Sequence, residues 1–532
     1  MRLRLISLGA LFLSVVASLP GDETATPPTT SEAAANSPSV VLPESLTPAS
    51  PPTPEIHGAK VFGVHPGHPF LFTVAVTGDR PMTFAADGLP PGLQIDPSSG
   101  QTTGTAPGEG SYHVTLHAKN ARGETQRSFL IKVGDTLALT PPMGWNSWNY
   151  FANKVSAAKI RSAADAVVKS GLINHGWTYI NIDDYWQNTI DLKNTKRWAP
   201  ALDGPVRSPD GTINSNSLFP DMKGVADYIH SLGLKAGLYS SPGVSTCGHC
   251  EGSYGHEQQD AQSYAAWGFD YLKYDWCSYS LIYQQQDGGK GLDGMEKPYQ
   301  VMGAALAKAP RDIVYSFCQY GMGDPWKWAP PFGGNAWRTT GDITDTWQKM
   351  LRNGEKQNGL EDYAGPGHWN DLDMLVVGQV GWRKQLHPTR LTADEQYFHI
   401  SLWCLQAAPL LIGCDLTKLD PFTLGLLTND EVIDVDQDAL GKPAHVVTPA
   451  VADATSTIQI WARPLEDGSM AVGLFNPGPQ AAPATLNWSD LPISGARIVR
   501  DLWRQKDLGT FDKTFATHVP SHGVVFVRLS KP

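Results

Sequence analysis

The sequence predicts a multidomain chain in which a central (β/α)8 barrel lies between an N-terminal β-sandwich and a C-terminal antiparallel β-sandwich. Three observations predict it. Between residues 136 and 443, strand-like apolar runs alternate with amphipathic helical patterns, as a parallel barrel requires. Residues 57–135 carry short β-branched and aromatic runs separated by turn-formers, the pattern of a small sandwich. Residues 444–532 repeat that antiparallel pattern and should pack on the barrel.

Taken in order, the chain starts with Arg2 and Arg4, an apolar run from Leu5 to Val16 and small residues at Ala17 and Ser18. That reads as a signal peptide over residues 1–18, because the apolar run is too short to span a bilayer. The mature protein is expected to be secreted, periplasmic or at the cell surface, with no membrane segment. Residues 19–56 are rich in Pro, Thr, Ser and Ala without apolar periodicity, which predicts a disordered linker. The runs "FLFTVAV", "YHVTLHA" and "SFLIKV" of residues 57–135 resemble the immunoglobulin-like modules attached to secreted bacterial enzymes, and both a spacer and a sugar-binding role stay open.

Hydrophobic residues make up 41% of the chain and charged residues 17%, which excludes disorder throughout. Asp and Glu total 52 against 41 Lys and Arg, and the net charge of −11 opposes a role on nucleic acid or anionic lipid. The 17 Trp and 17 Tyr suit sugar stacking, although aromatic side chains mostly fill cores.

Within the barrel region, strands end near Trp145 to Trp148 and in "YINIDD", "KAGLYSS", "YLKYD", "IVYSFC", "AWRTTGD", "HWNDLDM" and "PLLIGCD". Helical patterns include "VSAAKIRSAADAVVKSG", "DMKGVADYIHSLG", "EQQDAQSYAAWG", "EKPYQVMGAALAKA" and "TADEQYFHISLWCLQ"; in the last, Thr392 and Glu395 have capping-box spacing. A doubly wound sheet would place a glycine-rich phosphate loop after the first strand, and "PPMGWNSWNYF" is not one.

Function in such barrels gathers at the C-terminal strand ends. Those ends carry Asp183 and Asp184 on strand two, Asp275 on four, Asp342 on six, and Asp371 and Asp373 on seven. A lone Asp there is usually a cap or turn residue, but acids on four strand ends point to chemistry. Two carboxyl groups across a cleft are the apparatus of glycoside hydrolysis. Asp275 suits the role of nucleophile, with Lys273 on the same strand face expected to keep it ionised. Asp342 suits the acid, its pKa expected to rise from the nearby Asp275 charge and from loss of solvent.

The motifs "TPPMGWNSW", "NIDD", "YLKYD", "WRTTGDI", "GHWNDLDML" and "LWCLQAAPLLIGCDL", in this order, resemble glycoside hydrolase family 27, the α-galactosidase and α-N-acetylgalactosaminidase family, over about residues 138–532. The resemblance implies that Asp275 is the nucleophile and Asp342 the acid/base of a retaining double displacement. It further implies that Asp183 and Asp184 hold the axial O4 and O6 hydroxyls, that Lys273 and Arg338 bond the sugar, and that Trp148 walls the pocket, with Tyr239, Asp373 and Met374 lining it. Retention predicts carboxyl groups about 5–5.5 Å apart. No metal or organic cofactor is implied.

Cys247 and Cys277 match a family disulfide, which leaves Cys250, Cys318, Cys404 and Cys414 as buried thiols. Read by itself, "CGHC" with His249 and His256 also allows a zinc or redox motif, a weak signal without a second ligand pair, and a bridge from Cys250 stays open. Tyr185 stands where animal and plant members have a cysteine, so a second bridge is absent. Gln319 and Tyr320 replace the Glu and Trp that many members carry in the loop facing O2. A Gln amide can bond a 2-hydroxyl and leaves little room for an acetamido group, which favours an α-galactoside as the carbohydrate substrate. Specificity for β-L-arabinopyranosides, α-N-acetylgalactosaminides or isomaltosyl units, and a non-catalytic carbohydrate-binding protein, remain the alternatives.

Overall fold

Eight parallel strands form the central sheet: Met143–Asn146, Tyr179–Asn181, Lys235–Ser240, Tyr271–Asp275, Val314–Cys318, Ala336–Arg338, Trp369–Asp371 and Leu410–Ile412. The computed structural model describes residues 43–190, 202–382, 385–447 and 457–532, so the expected signal peptide and residues 19–42 of the expected linker lie outside the described residues. Neighbouring strands pair in sequence order, with the eighth beside the first. A parallel bridge from Leu375, just past strand seven, to Ile412 joins the two edges and closes the barrel.

Alternation along strand four shows how the strands are built. Tyr271 faces inward, its ring 5.5 Å from that of Tyr179 on strand two, in keeping with interior layers filled from alternate strands. Tyr274 faces the outer helices, 5.9 Å from the rings of Tyr299 and Tyr315. The even residues thus build the core between sheet and helices, and the odd ones carry polar groups to the barrel mouth.

The expected helices appear as Ala157–Lys169, Met222–Ser231, Glu257–Trp267, Asp293–Leu306 and Ala393–Leu405. The capping box of the last is formed: Glu395 N donates to Thr392 Oγ1 at 3.3 Å, and Thr392 N to Glu395 Oε2 at 2.8 Å. Trp347–Glu355 is a further helix, absent from the sequence expectation; Trp347, Met350 and Leu351 form its apolar stripe against the core, but the helix is only nine residues long and its remaining positions are polar or glycine.

The C-terminal domain places His445–Val447, Gln459–Pro464, Met470–Phe475, Val524–Ser530, Arg497–Asp501 and Lys506–Phe511 in one sheet, with Ala482–Asn487 paired to Thr514–Val519 in another. Helix Ala393–Leu405 is buried from Glu395 to Leu405 because it lies between this domain and the barrel. Phe398 meets Phe475 at 4.6 Å between rings, Trp503 Nε1 donates to Ser401 Oγ at 2.8 Å, and the buried Arg463 donates to the Cys404 carbonyl at 3.1 Å.

In the N-terminal sandwich, Val61–Val64, Gly123–Val133, Gly110–Asn120 and Thr83–Asp87 form one sheet and Pro69–Thr73, Gln101–Thr105 and Leu93–Ile95 the other. Val61–Val64 runs parallel to Gly123–Val133, an exception to the antiparallel expectation. Phe129, Ile131 and Val133 alternate into its core. The sandwich docks on residues that precede barrel strands. Thr73 Oγ1 donates to the Gly233 carbonyl at 2.7 Å, Arg80 to Asn174 Oδ1 at 2.7 Å, and His65 and His68 place their Nδ1 atoms 2.6 Å from Asp312 Oδ1. This is the N-terminal face of the barrel, opposite the strand ends that carry the clustered acids.

The described part of the expected disordered linker, residues 43–56, is instead bonded to the folded chain. Leu46 N donates to Tyr397 Oη at 2.8 Å, Thr47 Oγ1 to the Gly425 carbonyl at 2.7 Å, and Glu55–Ile56 pairs with Val76–Thr77. Low-complexity composition does not prevent order where a folded surface supplies the backbone partners.

The Asp312 carboxyl lies below its ordinary pKa although burial opposes this, because His65 and His68 bond it, and the Asp312 bond raises the His65 imidazole above its own. A raised His65 contributes stability that is complete below about pH 6.5 and lost as pH climbs through its folded pKa; a lowered Asp312 contributes stability that is lost as pH falls below about 4. Asp312→Asn is therefore expected to destabilise the full chain by about 1–2 kcal/mol near pH 5.5 and by less at pH 9, read from denaturant unfolding at both values. Equal destabilisation at both would contradict the ion-pair account.

Candidate active site

Asp275 ends strand four and is 6% exposed. Each of its oxygens accepts one phenol: Tyr239 Oη donates to Oδ2 at 3.0 Å and Tyr320 Oη to Oδ1 at 2.6 Å. Burial raises its pKa; the Lys273 charge and the Tyr320 hydrogen bond pull the other way, and Asp342 and Asp183 add to the rise, leaving it net above the ordinary carboxyl value. The parallel register sets Asp275 beside Cys318 on strand five and Lys273 beside Tyr239 on strand three.

Lys273 does share the face of Asp275, but its direct partner is different from the one its spacing suggests. Nζ bonds Asp183 Oδ2 across the barrel at 2.9 Å and reaches Asp275 through its field alone. Although burial opposes its charge, Asp183 holds the ammonium well above its ordinary pKa. Asn146, at the end of strand one, donates to the same Asp183 oxygen at 2.9 Å, and Ser147 Oγ accepts from Asp183 N at 2.9 Å.

Asp184 is buried, and among the described residues no cation lies against it. Burial pushes its carboxyl up to about 7, with a further rise from Asp183, while Thr246, Gly248 N and Tyr185 N resist by donating to it. Those donors lie at 2.7, 2.6 and 2.8 Å. Adjacent residues thus present one carboxylate clamped by a cation and one poised near neutrality. Tyr185, with φ 80°, lies parallel to Trp148 at 6.3 Å between ring centroids.

Across the mouth, Arg338 on strand six is buried. Its Nη2 lies 3.0 Å from Asp373 Oδ2 and 3.3 Å from Asp342 Oδ1, and these acids, Asp373 foremost, hold the guanidinium charged against the burial penalty. Asp373 adopts φ 82° after strand seven, accepts from Ile343 N at 2.7 Å and donates its own N to Asp371 Oδ1 at 2.8 Å. Met374 beside it is buried. Asp342 is open, its side chain 73% exposed. The loss of solvent expected around it is therefore absent from the unliganded pocket, because the residue lies beyond the strand on the loop after Arg338.

Gln319 is buried, and neither amide atom has a hydrogen-bond partner among the described residues. Such an orphan is costly unless a ligand completes it. The cysteines resolve as well: Cys247 is bridged to Cys277, with Cα atoms 4.8 Å apart, so the "CGHC" segment offers neither a zinc pair nor an internal redox disulfide. Cys250, Cys318, Cys404 and Cys414 are buried thiols outside the bridge.

The barrel thus gathers Asp183, Asp184, Tyr239, Lys273, Asp275, Arg338, Asp342 and Asp373 at one end through direct contacts or mutual fields. Asn146, Thr246 and Tyr320 join them without having been singled out as contacts. Asn146 was readable as a polar residue at a strand end; Thr246 and Tyr320 depend on loop paths that periodicity does not encode.

The chain is similar to known proteins along most of its length. Residues 140–438 match the model of the α-galactosidase A family, residues 455–529 that of the α-galactosidase C-terminal β-sandwich domain, and residues 53–134 that of an Ig domain. The α-galactosidase A of Cellvibrio japonicus is 37% identical over 421 residues, covering 74% of this chain and 93% of its own. A crystal structure from Bacteroides fragilis is similar at 36% identity with TM-score 0.81, over 90% of this chain and 98% of its own. The structure of α-galactosidase I from Mortierella vinacea is similar at 33% identity with TM-score 0.64, over 74% of this chain and 98% of its own. With the family model matching more than half of its length and relatives of this closeness aligned nearly end to end, the chain belongs to glycoside hydrolase family 27, the α-galactosidase family.

Proposed function

We propose that this chain is an exported, exo-acting, retaining α-galactosidase that releases terminal α-D-galactosyl residues from oligo- or polysaccharides. The observation that carries the reading is a buried carboxylate, Asp275, fixed at both oxygens by phenols and within the field of an open carboxyl, Asp342, on a neighbouring loop. Asp275 attacks the anomeric carbon as the glycosidic bond breaks, and Asp342 gives its proton to the departing oxygen. Water then attacks the same carbon, its proton passes to Asp342, and the bond to Asp275 breaks with the electron pair returning to the carboxylate.

Asp183 and Asp184 take the O4 and O6 hydroxyls. Lys273 and Arg338 donate to the sugar while remaining paired with Asp183 and Asp373, and Trp148, Tyr239 and Met374 wall the site. Gln319 fits the 2-hydroxyl, since an amide with two unmet sides gains both a donor and an acceptor when a hydroxyl arrives. Export rests on the Arg-led apolar start of the chain. Among the described residues no helix is long and apolar enough to cross a membrane.

Hydrolysis of 4-nitrophenyl α-D-galactoside followed by proton NMR is expected to release the α-anomer first; first appearance of the β-anomer would mean inversion. Asp275→Asn should lower kcat by about 10³-fold or more, and wild-type rates in that variant would remove it as nucleophile. The α-N-acetylgalactosaminide should be cleaved about tenfold or more slowly than the galactoside; equal rates would place Gln319 away from position 2. Lys273→Met strands the buried Asp183 charge, so a loss of about 3–5 kcal/mol of stability is expected in denaturant titration, and an unchanged midpoint would show that the ion pair is dispensable to folding.

A further inference from the structure

Strand five ends at Cys318, and the chain turns at once through Gln319, Tyr320, Gly321 and Met322, closed by Met322 N donating to the Gln319 carbonyl at 3.0 Å. Both central residues have positive φ, 63° at Tyr320 and 83° at Gly321. Gly321 has reason to be glycine, since a Cβ there would lie 2.3 Å from the Thr339 carbonyl oxygen. Tyr320 has no such reason. The left-handed region disfavours any side chain with a Cβ, and the residues that tolerate it are Gly, Asn and Asp. A tyrosine held there at a strand end points to a job for its side chain.

That side chain ends 2.6 Å from Asp275 Oδ1. We propose that Tyr320 is a positioning residue for the nucleophile: its phenol fixes one carboxylate oxygen, keeps Asp275 ionised before attack, and stabilises the carboxylate as it leaves the sugar in the second step. The inference rests on Asp275 being the nucleophile and deepens that reading.

The groups facing Asp275 come from every strand packed near it. Lys273 lies on its own strand, Tyr239 on strand three, Asp183 beyond strand two, Cys318 and Tyr320 at the end of strand five, and Asp342 beyond strand six; the Cys277 sulfur lies 3.2 Å from Tyr239 Oη. Lys273 is already committed to Asp183, and Tyr239 serves Oδ2. Tyr320 is therefore the hydrogen-bond donor on Oδ1 among the described residues. Two of the charges, Asp183 and Asp342, oppose ionisation of Asp275, as burial does.

The phenol acts unequally on the two chemical steps. In the first, negative charge leaves Asp275 as its bond to the sugar forms, so the hydrogen bond weakens and contributes no acceleration beyond maintaining the ionised form. In the second, charge returns to Asp275 as that bond breaks, so the same hydrogen bond strengthens toward the transition state and accelerates release. Its removal should therefore show in kcat for an aryl galactoside with a good leaving group, where the second step governs turnover.

The test compares wild type, Tyr320→Phe and Asp275→Asn on 2,4-dinitrophenyl α-D-galactoside across pH. Asp275 must be ionised to attack, so activity falls as pH drops through its pKa, and losing a donor raises that pKa. Tyr320→Phe is expected to move the acidic limb of kcat/KM upward by about one pH unit and to lower kcat on the plateau by about tenfold, with plateau kcat/KM falling less. Absence of either change overturns the proposal. Should Tyr320→Phe fail to fold, 3-fluorotyrosine at position 320 keeps the shape, strengthens the donor and should move the limb downward; an unmoved limb overturns the proposal in the same way. Activity surviving in Asp275→Asn would instead overturn the nucleophile assignment on which the proposal rests.

Discussion

Burial strips Asp275 of water, and two phenol hydroxyls take the water's place. The charges of Lys273, Asp342 and Asp183 act on the same carboxylate. Tyr239 arrives from strand three because the parallel register puts it beside Lys273, one turn of the pleat below the carboxylate. Tyr320 arrives from strand five because the chain turns left-handed immediately after Cys318, the register partner of Asp275. An unsolvated carboxylate without such donors would hold its proton and lose its nucleophilicity.

Two cations pair with carboxylates across strands, and Arg338 also reaches Asp342 beyond its own strand. Lys273 on strand four ties to Asp183 after strand two, and Arg338 on strand six ties to Asp373 after strand seven. Each pair keeps its cation at the mouth, and each satisfies a carboxylate that would otherwise be costly to bury. Asp184 is the exception. Among the described residues no cation pairs with it, and burial pushes its carboxyl up to about 7 although a threonine and two backbone amides donate to it. Unequal neighbours of this kind let one strand end offer a strong acceptor and a group able to donate. The N-terminal sandwich lies away from this arrangement: Thr73, His65 and Arg80 bond residues that precede the strands, at the opposite face, and His57 and Arg127 lie against Asp430 and Asp434, beyond strand eight.

Much of this was legible in the sequence because a closed parallel barrel forces a simple grammar. Strands buried on both sides read as apolar runs, and whatever polar residue stops the run stands at the functional rim, as Asp183, Asp275 and Asp371 do. Local signals such as the Thr392 and Glu395 capping box are legible for the same reason, since their chemistry is complete within four residues. What was illegible depends on distance or on backbone shape. The partner of Lys273 could not be chosen between Asp275, two residues away, and Asp183, two strands away, until the barrel's diameter was known. The exposure of Asp342 depends on where a loop leaves strand six. Tyr320 reaches Asp275 through a left-handed turn that no propensity favours, and residues 43–56 are ordered by hydrogen bonds to Tyr397 and Gly425, which lie far along the chain.

In the proposed double displacement a covalent bond forms between the sugar and the carboxylate held by Tyr239 and Tyr320. Incubation with a fluorinated galactosyl donor that reacts but is slow to hydrolyse, followed by peptide mass spectrometry, measures that bond directly. One added glycosyl unit per chain is expected, located on Asp275. A label on any other residue, or complete turnover with no adduct under conditions that trap retaining enzymes, would contradict it.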